Sequence, residues 1–260
     1  MTSLFKLNKT QRKWHLPVVA GASVGIPLLI GYYSGQLEGG KLGALAGLSI
    51  LYLQSNVLVE RMIILMTCCF GVLLSYCVGI YGSAHPFLAP LALGFHSFVV
   101  HLSLHHLRLT RPPANFFFIM IASMAICTPF EPALIPEKVG FVALGTVSTC
   151  LLGFLYSVLT IDQEGNTPLP QKEKHINISE SIVFGLFMAI SMVVALLTKF
   201  ENPYWILISC IAVMQGSSAK NAGIRGIQRI IGTLIGVGLV GLISLLHPGP
   251  LFMIIGIIAM

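Results

Sequence analysis

A chain of 260 residues with 55% hydrophobic and only 9% charged residues cannot coat a soluble domain, which carries about a quarter of its residues as charge. Mean hydropathy is +0.88, and the chain reads as an integral membrane protein. The formal net charge of +6 then implies cationic loops against anionic lipid head groups and excludes a nucleic-acid surface.

The basic N-terminus (Lys6, Lys9, Arg12, Lys13) precedes an apolar run over residues 17–33. That order resembles a signal peptide, but the run lacks a small-x-small cleavage site and further apolar segments follow. It reads as a retained first transmembrane helix, with a kink expected at Pro27. A bilayer core of ~30 Å takes about 20 helical residues. By that measure the chain offers further helices at 42–54, 62–80, 87–104, 115–128, 139–161, 181–198, 204–215 and 228–246. A tenth begins at residue 251. Its ten apolar residues reach about half-way across, so the fold is expected to continue past Met260. The six cysteines, Cys68, Cys69, Cys77, Cys127, Cys150 and Cys210, all fall inside apolar segments without Cys-x-x-Cys spacing and read as small hydrophobes in helix packing.

The segments at 42–54 and 204–215 are short for a crossing, and charge arbitrates. If both cross and the N-terminus is cytoplasmic, twelve of the 15 lysines and arginines lie inside and three lie outside; if neither crosses, the division is nine to six. The first topology is expected. Residues 1–161 form one membrane unit, 162–179 a cytoplasmic linker and 180–260 a second unit. The two units share an order of features: a long helix, a short helix, a basic hinge and another long helix. At an offset of 161, Ile50 meets Ile211, Gln54 meets Gln215 and Gly71 meets Gly232. An even number of crossings separates the copies, so the repeat is expected to be parallel. Short, interrupted segments in matching places are the pointer to a transporter's binding site.

The second hinge carries the densest chemistry. Lys220, Arg225 and Arg229 sit among glycines between two apolar segments, and cations there are costly unless they face water or protein. Arg225 and Arg229 are four apart and share a helix face, an unfavourable pairing unless an anion meets them. Guanidinium binds carboxylate bidentately, and the start of a helix at 228 would add its partial positive charge. The alternative is anchoring at the phospholipid head groups. Gln54 and Gln215 end the short helices, either lining a polar path or capping the helix. Arg61 is the weaker hinge's cation. Tyr204 and Trp205 sit at the outer end of the 204–215 segment, as an interfacial aromatic belt or as a stacking surface. Gly232, Gly236, Gly238 and Gly241 read as helix-packing positions. His101 and His105 share a face of the fourth helix and His96 lies deeper, off that face. Packing, a proton relay or, less favoured, a metal are the readings open to them. No Glu or Asp accompanies them in the helix and no supporting carboxylate is evident, so no metal site is assigned. No Walker loop, nucleophile elbow or dinucleotide fingerprint occurs, so neither an enzyme activity nor a cofactor is expected.

Pro203-Tyr204-Trp205, Val213-Met214-Gln215 and the run Arg225-Gly226-Ile227-Gln228-Arg229-Ile230-Ile231-Gly232-Thr233-Leu234-Ile235-Gly236 together resemble the signature of the fusaric acid resistance (FUSC) family. The resemblance is close over about 35 residues, and the sizeable cytoplasmic domain of many relatives is reduced here to a short linker. It implies an all-α, polytopic protein of the bacterial inner membrane, with two parallel repeats of about six transmembrane helices, the second incomplete in this chain. It further implies export of organic, aromatic carboxylate anions driven by the proton gradient, with the lipid bilayer and a small organic anion as partners. A periplasmic adaptor protein and a homo-oligomer are open as further partners. An anion channel, a non-transporting accessory subunit of a larger membrane complex and a histidine-ligated redox protein are the competing readings.

Overall fold

The computed structural model describes residues 15–54, 57–160, 178–198, 200–215, 219–245 and 249–259. The N-terminal cations, the linker as far as residue 177, Lys199, the glycine–serine part of the second hinge (216–218) and the turn at 246–248 lie outside the described residues. So does the side chain of Lys220.

Every described element is helical. The order is α1 (His15–Tyr33), α2 (Leu37–Gly47) running on into a 3-10 turn (Leu48–Tyr52), α3 (Leu58–Gly82), α4 (Leu88–His106) and α5 (Phe116–Ile126). A 3-10 turn (Pro132–Leu134) then leads into α6 (Ile135–Thr160), followed by α7 (Ile178–Thr198), α8 (Tyr204–Met214), α9 (Ala219–Ser244) and α10 (Pro250–Ala259). Among the described residues six helices are long and apolar enough to cross a bilayer, those of α1, α3, α4, α6, α7 and α9. The protein is an all-α, multi-pass membrane protein.

Side-chain bonds gather alternate helix ends at one face of the bundle. His15 at the start of α1 meets the Tyr156 hydroxyl near the end of α6 at 2.8 Å. The Tyr52 hydroxyl donates to the Ala114 carbonyl, which ties the end of the first 3-10 turn to the entrance of α5. His101 near the end of α4 meets Ser181 at the start of α7 at 2.8 Å. The short α2 and α8 therefore both reverse the chain direction, as the charge division required.

The core is built around α5. At 11 residues it is about 16 Å long, half a bilayer core. Nine of its residues are buried, from Phe117 through Ser123 and at Ala125 and Ile126, because a helix apolar all round can be covered on every side. The Tyr52 ring docks edge-on against Phe117 and Phe118, with centroids 6.1 and 5.4 Å away. Around this centre, α1, α2 and α6 close through glycine. A Cβ on Gly145 of α6 would collide with the Gly43 carbonyl of α2. In the α4–α7 pair a Cβ on Gly185 would lie 2.7 Å from the Gly94 carbonyl. Only glycine permits backbones this close.

Two expectations are corrected. The ninth helix does not begin at residue 228 after a hinge. It begins at Ala219, so Lys220, Arg225 and Arg229 are helical residues and the helix start is remote from Arg229. Glycines read as breakers cost only about 1 kcal/mol each inside a helix. Leaving backbone groups unpaired in hydrocarbon costs more, and the helix prevails. Secondly, a Cβ added at Gly232, Gly236, Gly238 or Gly241 would meet nothing within 4 Å, so these glycines close no helix contact among the described residues. α9 packs chiefly on α8 and presents Leu234, Val237 and Leu242 outward.

Candidate functional site

The α4–α7 seam opens at its end into a cavity of about 320 Å³. Its walls come from five places in the chain. α4 supplies His101 and His105. The loop after α4 supplies Thr110, Pro112, Ala114 and Asn115. α7 supplies Glu180 and Phe184, the end of α8 supplies Met214 and Gln215, and α9 supplies Arg225.

The histidine wall follows from helical spacing. His101 and His105 are one turn apart, and their ring centroids lie 4.3 Å from each other. The His105 Nδ1–H donates to the His101 carbonyl at 2.9 Å. His101 Nδ1 shares a 2.8 Å hydrogen bond with the Ser181 hydroxyl, and its ring stacks on Phe184 at 4.9 Å. The imidazole is thus held on two sides by α7, and the pair forms a short polar column between the cavity and the helix interior.

The loop wall is held by the two glutamines. The Gln54 Nε2 donates to the carbonyls of Arg111 (3.4 Å) and Pro112 (3.3 Å), and the Gln215 Nε2 donates to the Pro113 carbonyl at 3.2 Å. They cap neither of their own helices. Each spends its amide on one proline turn. Arg108 and Ala114 bracket that turn with φ of 60° and 45°, conformations a non-glycine residue keeps only when its surroundings hold it. Gln215 also faces the cavity.

The arginines part company. Arg225 is exposed and lines the cavity. Arg229, one turn further along α9, is half-buried, and its Nε donates to the Ser209 hydroxyl of α8 at 3.3 Å. Between them Gly226 faces Val213, whose Cγ2 would lie 3.8 Å from an added Cβ. Lys220 lies in the first turn of α9. Arg61 is buried away from the cavity. Its guanidinium lies 3.5 Å from the Thr160 hydroxyl and 6.0 Å from the centre of the Tyr156 ring, both on α6. Trp205 lies at the opposite end of α8, in an open recess with Phe200, Asn202, Ile206 and Ser209. His96 is buried and off the histidine face, and its Nε2 has no hydrogen-bond partner among the described residues.

Of the residues expected at one site, the fold brings together Arg225, Gln215, His101 and His105. Gln54 stands behind the loop wall, Arg229 one turn away, and Arg61, Trp205 and His96 elsewhere. Asn115, Thr110, Ser181 and Phe184 escaped the sequence reading, since a lone Ser or Asn at a helix boundary carries no signal of its neighbour. Glu180 sits in the first turn of α7, where an acid suits the helix start, and also at the cavity wall. Among the described residues no three His, Cys, Asp or Glu side chains are grouped as a metal site would need.

No curated protein and no solved structure matches the chain. A family model described as fusaric acid resistance protein-like matches residues 189–260. That stretch runs from the second half of α7 through α10 and includes the α8–α9 pair with both arginines, and over it the chain is similar to that family.

Proposed function

We propose that the protein moves organic anions, aromatic carboxylates foremost, out across the bacterial inner membrane, and that the cavity is where the anion is taken up. The family match and six membrane-length helices support a transport or efflux role. The observation that carries the finer reading is the cavity's composition. One guanidinium (Arg225), two amides (Asn115 and Gln215) and a histidine pair converge on a space large enough for a small ring with a carboxylate. Glu180 and Arg225 stand on the walls of the same cavity. Arg61, Arg108 and Arg111 lie at the cavity end of the bundle while Lys41 and Lys138 lie at the other, which supports a cytoplasmic N-terminus and a cavity facing the cytoplasm. Two titratable imidazoles one helical turn apart at the cavity wall, His105 and the Ser181-bonded His101, support proton coupling.

The test is benzoate flux from proteoliposomes at matched protein abundance. Arg225→Gln is expected to lower flux at sub-saturating benzoate by about tenfold or more, because a hydrogen bond to a charged group is worth about 1.5–3 kcal/mol and 1.4 kcal/mol is a factor of ten. Unchanged flux would remove Arg225 from the path. The bare outer face of α9 favours one second reading, a non-transporting subunit that presents α9 to a larger membrane complex. Wild-type vesicles no more permeable to benzoate than empty ones would favour it.

A further inference from the structure

We infer that α9 carries two anion stations one helical turn apart, Arg225 in the cavity and Arg229 beside Ser209, a wall of the recess at the far end of α8, and that the anion is handed from the first to the second. This rests on the transport reading above and adds to it a second binding site and the barrier between the two.

Arg229 lies six residues, about 9 Å, inside the apolar span that begins at Gly223, where a cation is expected to face partners, water or, by reaching back along the helix, head groups. Arg229 has one partner among the described residues, the neutral Ser209 hydroxyl, which occupies a single one of its five N–H groups. The remaining donors keep the fork that a carboxylate accepts bidentately.

Ser209 is also a wall of the recess of about 560 Å³ formed with Phe200, Asn202 and Trp205. The recess and the cavity lie at opposite ends of α8, which is only 11 residues long. From Ser209 to Met214, the nearest α8 wall of the cavity, is five residues, about 8 Å. Between the two arginines on α9 lies Gly226, where an added Cβ would be 3.8 Å from Val213 Cγ2 of α8. Arg225 stands on one side of that contact and Arg229 on the other. A carboxylate released by the first guanidinium needs to travel about one helical turn to reach the second. Like charges one turn apart repel, and an anion between them relieves the repulsion, so the pair favours transfer over deep trapping at either station.

The test uses the full chain in phosphatidylcholine vesicles with Trp14→Phe, which leaves Trp205 as the sole tryptophan. The quencher 4-nitrobenzoate is titrated while Trp205 emission is read. Arg229→Gln is expected to raise the half-quenching concentration at least tenfold, while Arg225→Gln leaves it within twofold. In benzoate flux, Arg229→Gln is expected to lower the maximal rate about tenfold with little change in half-saturation from the cavity side. Quenching unaffected by Arg229→Gln, or weakened as much by Arg225→Gln, overturns the second station. If Arg229→Gln does not reach the membrane, Arg229→Lys serves, since it keeps the charge and loses the fork. Several-fold weaker quenching supports the proposal and unchanged quenching overturns it. Quenching that appears only when anionic lipid is added assigns Arg229 to lipid and also overturns it. Should vesicles pass no benzoate while Trp205 quenching still depends on Arg229, the transport reading fails and the station stands. Should benzoate pass with Arg229→Gln at the wild-type rate, the reverse holds.

Discussion

Glycine punctuates two regions of this chain with opposite results. At Gly43 and Gly47 of α2, at Gly145 of α6 and at Gly185 between α4 and α7, a glycine stands where two backbones meet, and a methyl group would collide with a neighbouring carbonyl. In α9, Gly232, Gly236, Gly238 and Gly241 repeat the same small-residue spacing with open space around them. α2 and α9 are alike in this respect, each carrying glycines four residues apart. What differs is the surroundings: α6 has α1, α2 and α3 against it, and α9 has chiefly α8. A small-residue pattern therefore states that close approach is permitted, and only a neighbour makes it a contact.

The contrast can be broken most sharply at the closed seam. Gly145→Leu forces a branched side chain into the Gly43 carbonyl and is expected to cost about 3 kcal/mol or more, at the upper end for overpacking. Loss of folded, monodisperse protein in detergent, or a large fall in unfolding temperature, would register it. A variant as stable as wild type would mean that α2 and α6 can part without consequence. Next in size is Ser181→Ala in the α4–α7 seam. It leaves His101 Nδ1 buried without its partner and is expected to cost about 1–3 kcal/mol. It should also depress benzoate flux beyond what the stability loss explains, and the two readouts can be compared in one preparation. The smallest effect is expected at the open helix. Gly236→Ala in α9 meets nothing, so stability should stay level or rise by up to about 1 kcal/mol from helix propensity. A marked loss there would show that the outer face of α9 is occupied in the membrane by something other than lipid.

The same contrast explains what could be read in advance. The membrane class, the sites of the long helices and the reversal of direction at both short segments followed from apolar run lengths and from where the cations fall, since in hydrocarbon the helix is the one form that pairs all its own backbone groups. Hydropathy could not find the start of α9. The charges and glycines at 220–229 depress the apolar signal, yet the backbone there is helical all the same. Nor could it show that α5, scarcely half a membrane thick, is the centre of the bundle.

The site divides along the same line. His101 with His105, and Arg225 with Arg229, are pairs that helical period alone places on one face, and the first pair does share a cavity. The second pair does not act in one place, because the α8 helix end falls between them: Arg225 opens to the cavity and Arg229 turns to Ser209. That the two glutamines grip a single proline turn, that Ser181 reaches His101, and that Arg61 is spent on α6 and not on the cavity are long-range facts. The chain's composition and periodicity dictated that it lives in a bilayer and which residues share a helix face, because both are set by hydrogen bonding and geometry within one helix. Which of those faces meet, and hence where a charge finds a partner or an opening, was decided by packing between helices far apart in sequence, which no local pattern encodes.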